Sequence, residues 1–274
     1  MNKLIDVDKL FSSFAPKFIA ENYSGLNPDE IEDKIDEIYY HFGNTKLPEL
    51  GDKTVVEYFE SFSVSDLIKM LSDYVLSGLE PSAYLTDAII SKDGGEDELS
   101  LLLKSDSEDL IVYAMNLLAD KGVDAKPEYL DYILDGYGDR ACELATELLS
   151  QNAGVVVDKI LSEFDNAPID KKVNLIEILA NAPKSDKVFS ILVDAFLENK
   201  NNLPLYAYYL SKYGDEKALP YLYDAIESDG IDYGDFTELK CAIEVLGGEY
   251  NIKKDFSQDK AFLAVKKVED EING

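Results

Sequence analysis

Apolar side chains return along the second half of this chain in one short phrase with i, i+3, i+4, i+7 spacing. It reads Ile111-Ala114-Met115-Leu118, Ala141-Leu144-Ala145-Leu148, Leu203-Tyr206-Ala207-Leu210 and Leu239-Ala242-Ile243-Leu246. That spacing puts four apolar residues on one face of an α-helix. A fifth copy, Leu175-Ile176-Leu179, has Lys172 at its first position. The closing leucines fall 30, 31, 31 and 36 residues apart, and a fixed period of that size predicts a stack of helical repeats. Between the copies runs a looser stripe: Tyr129-Leu130-Ile133-Leu134, Val156-Val157-Ile160-Leu161-Phe164, Val188-Leu192-Phe196 and Ala218-Leu219-Leu222-Ile226. Each unit from about residue 105 therefore reads as a helix pair.

Upstream the pattern is helical without the fixed period. Helices are predicted over 7–23, 28–42, 54–61, 66–75 and 82–91, separated by Gly- and Pro-bearing turns. Asn27-Pro28-Asp29-Glu30 supplies an N-cap, a proline at the first helical position and acids at the positive end of the helix dipole. Ser65-Asp66 reads as the cap of the fourth helix. Lys92-Asp93-Gly94-Gly95-Glu96-Asp97 reads as a linker. The expected organisation is an irregular helical part over 1–92, a repeat array over 105–250, and a terminal segment over 251–274. In that segment Phe262, Val265 and Val268 line one side of a capping helix.

The wording of the fourth unit, Leu210-Ser211-Lys212-Tyr213-Gly214-Asp215-Glu216-Lys217-Ala218-Leu219-Pro220, resembles the HEAT repeat of the bacterial HEAT-like type. Gly214 suits a left-handed turn, Asp215 can cap the next helix, and Pro220 should bend that helix or mark a late start. The resemblance covers about 105–250. It implies an all-α, right-handed α-α superhelix, an armadillo-type solenoid whose second helices line a concave, protein-binding face.

Charge narrows the function. There are 55 acidic against 26 basic side chains, a formal net of -29. The excess is spread along the chain, at -13, -9 and -7 for residues 1–100, 101–200 and 201–274. Nucleic-acid binding depends on clustered Lys and Arg, and the densest basic pairs here, such as Lys171-Lys172, have acidic neighbours. Anionic membranes repel such a chain, and no run approaches the length of a membrane span. The charged start, Met1 to Asp8, does not read as a secretory signal. The two cysteines fall in corresponding first helices of different repeats, too far apart for a disulfide. The expectation is a reduced, cytoplasmic protein.

Candidate chemistry is sparse. His41 is the single histidine and sits at a predicted helix end, where the C-terminal dipole favours it. Cys142 and Cys241 fit small buried positions, although Arg140 near Cys142 is of a kind that lowers a thiol pKa. No phosphate-binding loop, nucleophile elbow or zinc motif occurs. The acidic stretches 93–98 and 229–235 lack the glutamate that closes an EF-hand loop. No cofactor and no metal is expected.

Tyrosine, with 18 copies, is the residue type with recognition value. Tyr132 and Tyr221 fall off the apolar stripe of their second helices, near Asp135 and Asp224. The reading is a non-catalytic module that binds a protein partner, basic in character, through Tyr132, Asp135, Tyr221 and Asp224. The alternatives are an acidic mimic of nucleic acid or an enzyme of unrecognised type.

Overall fold

The computed structural model describes residues 4–123 and 125–273. Among them there are seventeen α-helices and no strand; a lone antiparallel bridge joins Leu47 to Lys53. The chain forms two compact units, Met1–Asp124 and Ala125–Gly274.

The first unit holds α1 (Val7–Asn22), α2 (Pro28–Glu32), α3 (Ile35–Gly43), α4 (Val55–Glu60), α5 (Val64–Leu76), α6 (Ala83–Ile90), α7 (Glu96–Leu102) and α8 (Glu108–Asp120). Helix α1 packs on α3 through an aromatic seam. Phe11 meets Tyr39 edge-on at 5.2 Å and Phe42 at 5.4 Å, and Phe14 meets Phe42 at 5.4 Å. Further along, α4, α6 and α8 pack in sequence, while α5 packs on α6, α7 and α8. The Asn27 cap forms as expected: its side chain accepts from the Glu30 amide, and the Glu30 carboxylate accepts from the Asn27 amide.

Three local expectations are corrected. The helix expected over 28–42 is two helices, broken at Asp33–Lys34. Helix α5 is capped by Ser63, which accepts from the Asp66 amide, and not by Ser65. Within the segment 92–97, residues 92–95 form a tight turn that leads into α7, a helix absent from the expected set. Gly95, at φ 89°, approaches Val64 and Ile68 too closely for any Cβ. Strongly charged Glu96 and Asp97 read as linker because they look solvated. They are instead the first turn of a helix, where acids favour the dipole.

The second unit holds α9 (Tyr129–Asp135), α10 (Asp139–Gln151), α11 (Val157–Glu163), α12 (Lys172–Leu179), α13 (Asp186–Glu198), α14 (Leu203–Tyr213), α15 (Leu219–Ile226), α16 (Tyr233–Val245) and α17 (Lys260–Asn273). These are the alternating first and second helices the stripes predict. Helices α10, α12, α14 and α16 pack one on the next, and α9, α13 and α15 pack against their chain neighbours. The repeating phrase is core: Ala141, Ala145, Leu175, Leu179, Ala207, Leu239 and Ile243 are all inaccessible. At the fourth unit Gly214 takes φ 73°, Asp215 caps a short 3-10 turn over Glu216–Ala218, and α15 starts late, with Pro220 in its first turn. The late start leaves the proline nitrogen where no helical partner is needed.

The thirty-residue period also appears in the hydrogen bonds. In the second unit, side chains reach across 26 to 32 residues: Lys159 to Asp131, Asn174 to Thr146, Lys184 to the Gly214 carbonyl, Tyr209 to Glu177, and Lys254 to the Ser228 carbonyl. The same spacing, 29 to 33 residues, holds in the first unit. There Ser65 reaches Glu98, Lys92 the Glu60 carbonyl, Tyr113 Glu80, and Lys121 the Ile89 and Lys92 carbonyls. Period-length linkage thus begins near residue 60, upstream of the first copy of the phrase.

Candidate functional site

The four residues singled out by sequence lie on two helices of the second unit. Tyr132 and Asp135 are on α9, and Tyr221 and Asp224 are on α15. Asp135, Tyr221 and Asp224 are exposed, as expected. Tyr132 is half-buried, with its ring edge-on to Tyr137 at 6.2 Å. Burial, reinforced by the charges of Glu128 and Asp131, pushes its hydroxyl up to about 12. The structure brings Tyr221 and Asp224 together. Both line a shallow pocket of about 100 Å³ with Phe196, Leu203 and Lys200. Neither Tyr132 nor Asp135 belongs to it.

Three of the 18 tyrosines serve a different purpose. Tyr213 on α14 accepts a hydrogen bond from the Ser185 amide at 2.6 Å and donates to the Ser185 carbonyl at 3.1 Å. Tyr223 makes the same two-way contact with Glu249, at 3.1 and 3.2 Å, and Tyr74 with Ile5, at 3.0 and 2.5 Å. Each phenol pairs both main-chain groups of one residue outside the helices and distant in the chain. A buried ring with a polar tip can do this because its hydroxyl both donates and accepts. These tyrosines staple neighbouring segments and are spent on the fold.

The other sequence candidates are placed as follows. His41 lies in the last turn of α3 with its ring 5.1 Å from Phe18, a packing position at the helix end. Cys142 is buried, and burial raises its thiol pKa, with Lys171 opposing; it is not activated. Cys241 is exposed, contrary to the buried position expected. It lies on α16 one residue before Ala242, which takes the core-facing place. Phe262 joins Tyr233 and Phe256 in an aromatic cluster, whereas Val265 and Val268 are exposed. Among the described residues no group of three or more His, Cys, Asp or Glu side chains is placed to hold a metal ion.

A cavity of about 370 Å³ lies in the first unit, where sequence pointed to nothing. Its size falls at the lower end of small-ligand pockets, roughly 300 to 1,000 Å³. Tyr40 and Asn44 come from the end of α3, Val56 and Glu60 from α4, and Tyr84, Asp87, Ala88 and Ser91 from α6 and its end. Local sequence sets this geometry. Gly43 lets Tyr84 lie against the α3 backbone, because any Cβ there would overlap the Tyr84 ring. Tyr84 stacks on Tyr39 at 4.7 Å and donates its hydroxyl hydrogen bond to the Tyr39 carbonyl. Burial, helped by Tyr39, raises its pKa well above the ordinary tyrosine value. Tyr40, by contrast, is 68% exposed at the edge of the cavity. These residues come from three stretches spread between Tyr40 and Ser91 with no common spacing.

No family model, curated protein or solved structure matches this chain.

Proposed function

We propose that the chain is a non-catalytic protein-interaction module, a HEAT-like helical scaffold that binds a basic protein segment. The observation that carries the reading is how the polar side chains are used. Lysines are drawn to main-chain carbonyls of neighbouring turns, as with Lys92, Lys121, Lys184 and Lys254. Tyrosine hydroxyls close the staples. The chain as a whole carries an excess of carboxylates, a formal net of -29, on a helical array. Such a surface steers a Lys/Arg-rich partner and rejects acidic ones.

In a HEAT-like array the second helices, here α9, α11, α13 and α15, form the concave face. Asp135 and Asp224 with Tyr132 and Tyr221 are then its recognition residues. The tyrosine rings add cation–π contact, about 0.5–2 kcal/mol each.

The test is titration of an acetylated, amidated lysine-rich peptide against the full chain at low and high salt. Affinity should fall steeply as salt rises, since exposed charges are screened. The double variant Asp135→Lys, Asp224→Lys should weaken it further. Binding that ignores both salt and the double reversal, or no binding at low salt, would overturn the reading.

A further inference from the structure

The 370 Å³ cavity of the first unit has a chemical character that its shape alone does not convey. Helix α3 ends at Gly43 with Asn44 as its C-cap, and α6 ends at Ile90 with Ser91 as its C-cap. Both caps line the cavity, so two helix C-termini face it, and Glu60, the last residue of α4, lines it too. A helix C-terminus carries a partial negative charge of roughly half an electron, and here the last carbonyls already accept from Asn44, Thr45, Ser91, Lys92 and Lys121, which leaves side-chain carboxylates as the free acceptors. The carboxylates of Glu60 and Asp87 add two formal charges, and neither has an ion-pair partner among the described residues.

The chain's own cations respond to that field. Lys92 donates to the Glu60 carbonyl at 3.0 Å, and Lys121 to the Ile89 and Lys92 carbonyls at 3.2 and 2.6 Å. Both ammonium groups bind main chain and leave the two carboxylates unbridged. The rest of the lining is apolar or aromatic: Val56, Ala88, Tyr84 and the exposed Tyr40. An aliphatic stem with a cationic head fits that division. Two separate carboxylates on different helices suit an ammonium, whose three donors can point at acceptors in different directions. A guanidinium fork prefers a single bidentate partner.

We propose that this cavity is a pocket for a lysine side chain. Glu60 and Asp87 take the ammonium, and Tyr40, Tyr84 and Val56 flank the methylene stem. The lysine belongs to the basic partner segment proposed above, so the source of the side chain rests on that reading. The pocket's preference for an alkylammonium group stands independently.

The test uses two probes on the isotope-labelled full chain, followed by amide chemical shifts. One is n-butylammonium, with n-butanol as its neutral counterpart; the other is the lysine-rich peptide. Butylammonium should shift amides around 40–44, 56–60 and 84–91, and butanol at the same concentration should not. Asp87→Asn, an exposed and near-isosteric change, should weaken butylammonium binding by roughly ten-fold, the size of one lost charge-assisted hydrogen bond. Equal shifts with butanol, or an unchanged affinity in Asp87→Asn, would overturn the pocket. Peptide binding that responds to reversal of Asp135 and Asp224 but leaves the cavity amides unmoved would overturn the assignment of the lysine to that segment, while keeping the basic-segment reading. Butylammonium binding sensitive to Asp87→Asn, with no peptide binding, keeps the pocket and removes that reading.

Discussion

The hydroxyl of Tyr213 accepts from the amide of Ser185 at 2.6 Å and donates to the carbonyl of the same residue at 3.1 Å. One phenol thus satisfies both main-chain groups of the residue that caps α13. Tyr213→Phe keeps the ring and removes both bonds. Losing two part-buried hydrogen bonds, each worth about 0.5–1.5 kcal/mol, should make the variant unfold at a lower denaturant midpoint with an unchanged slope. Tyr208→Phe, on an exposed ring of the same helix, should be nearly neutral. Equal midpoints for the two variants would refute the staple.

Gly43 is needed for space and not for its backbone angle. A Cβ on it would lie 2.6 Å from the Tyr84 hydroxyl oxygen, closer still to the ring, and the ring is fixed by its stack on Tyr39. Gly43→Ala should destabilise the protein by about 1–3 kcal/mol through overpacking. Combining it with Tyr84→Ala should cost less than the sum of the two changes, because the clash then disappears. Strict additivity in thermal melts would show that the contact is not the cause.

Lys121 is an ammonium with 4% of its side chain exposed, held by the carbonyls of Ile89 and Lys92. Lys121→Met preserves the stem and leaves the end of α6 without its donor. Hydrogen bonds to charged groups are worth about 1.5–3 kcal/mol, so a loss of about 2 kcal/mol in urea unfolding is expected. A neutral or stabilising result would show that the stem alone matters at this place.

Alkaline pH should unfold the chain in a defined window. Burial pushes the hydroxyls of Tyr113 and Tyr132 up to about 12, and raises Tyr84, Tyr129 and Tyr209 as well. In the unfolded chain these groups ionise near 10. Above that pH the unfolded state binds fewer protons than the folded one, so stability falls as pH rises. Their contribution is complete below about 10 and is lost as pH climbs through about 12. Urea midpoints measured across that window should fall steadily, and Tyr132→Phe should shallow the slope. Tyrosinate absorbance that titrates in a single wave near 10 while the chain stays folded would contradict the burial.

The sequence by itself determined the helical class and the pairing of helices in the second unit. Residues such as Ala145, Leu179 and Ile243 sit at 3.6-residue spacing, and that spacing leaves only one face to bury. It also determined the turn at Gly214, since a left-handed angle selects glycine locally. Tertiary structure decided where the tyrosines went. An off-stripe tyrosine such as Tyr223 looks free on a helical wheel, yet its hydroxyl closes on Glu249, 26 residues away. It likewise decided that 96–102 is a helix, because the close approach of Gly95 to Val64 anchors its start. Above all it assembled the cavity, whose Tyr40, Glu60 and Asp87 share no local pattern. Periodicity records which residues face inward from one helix. It carries nothing about which helix ends meet, because that is fixed by packing between segments distant in the chain.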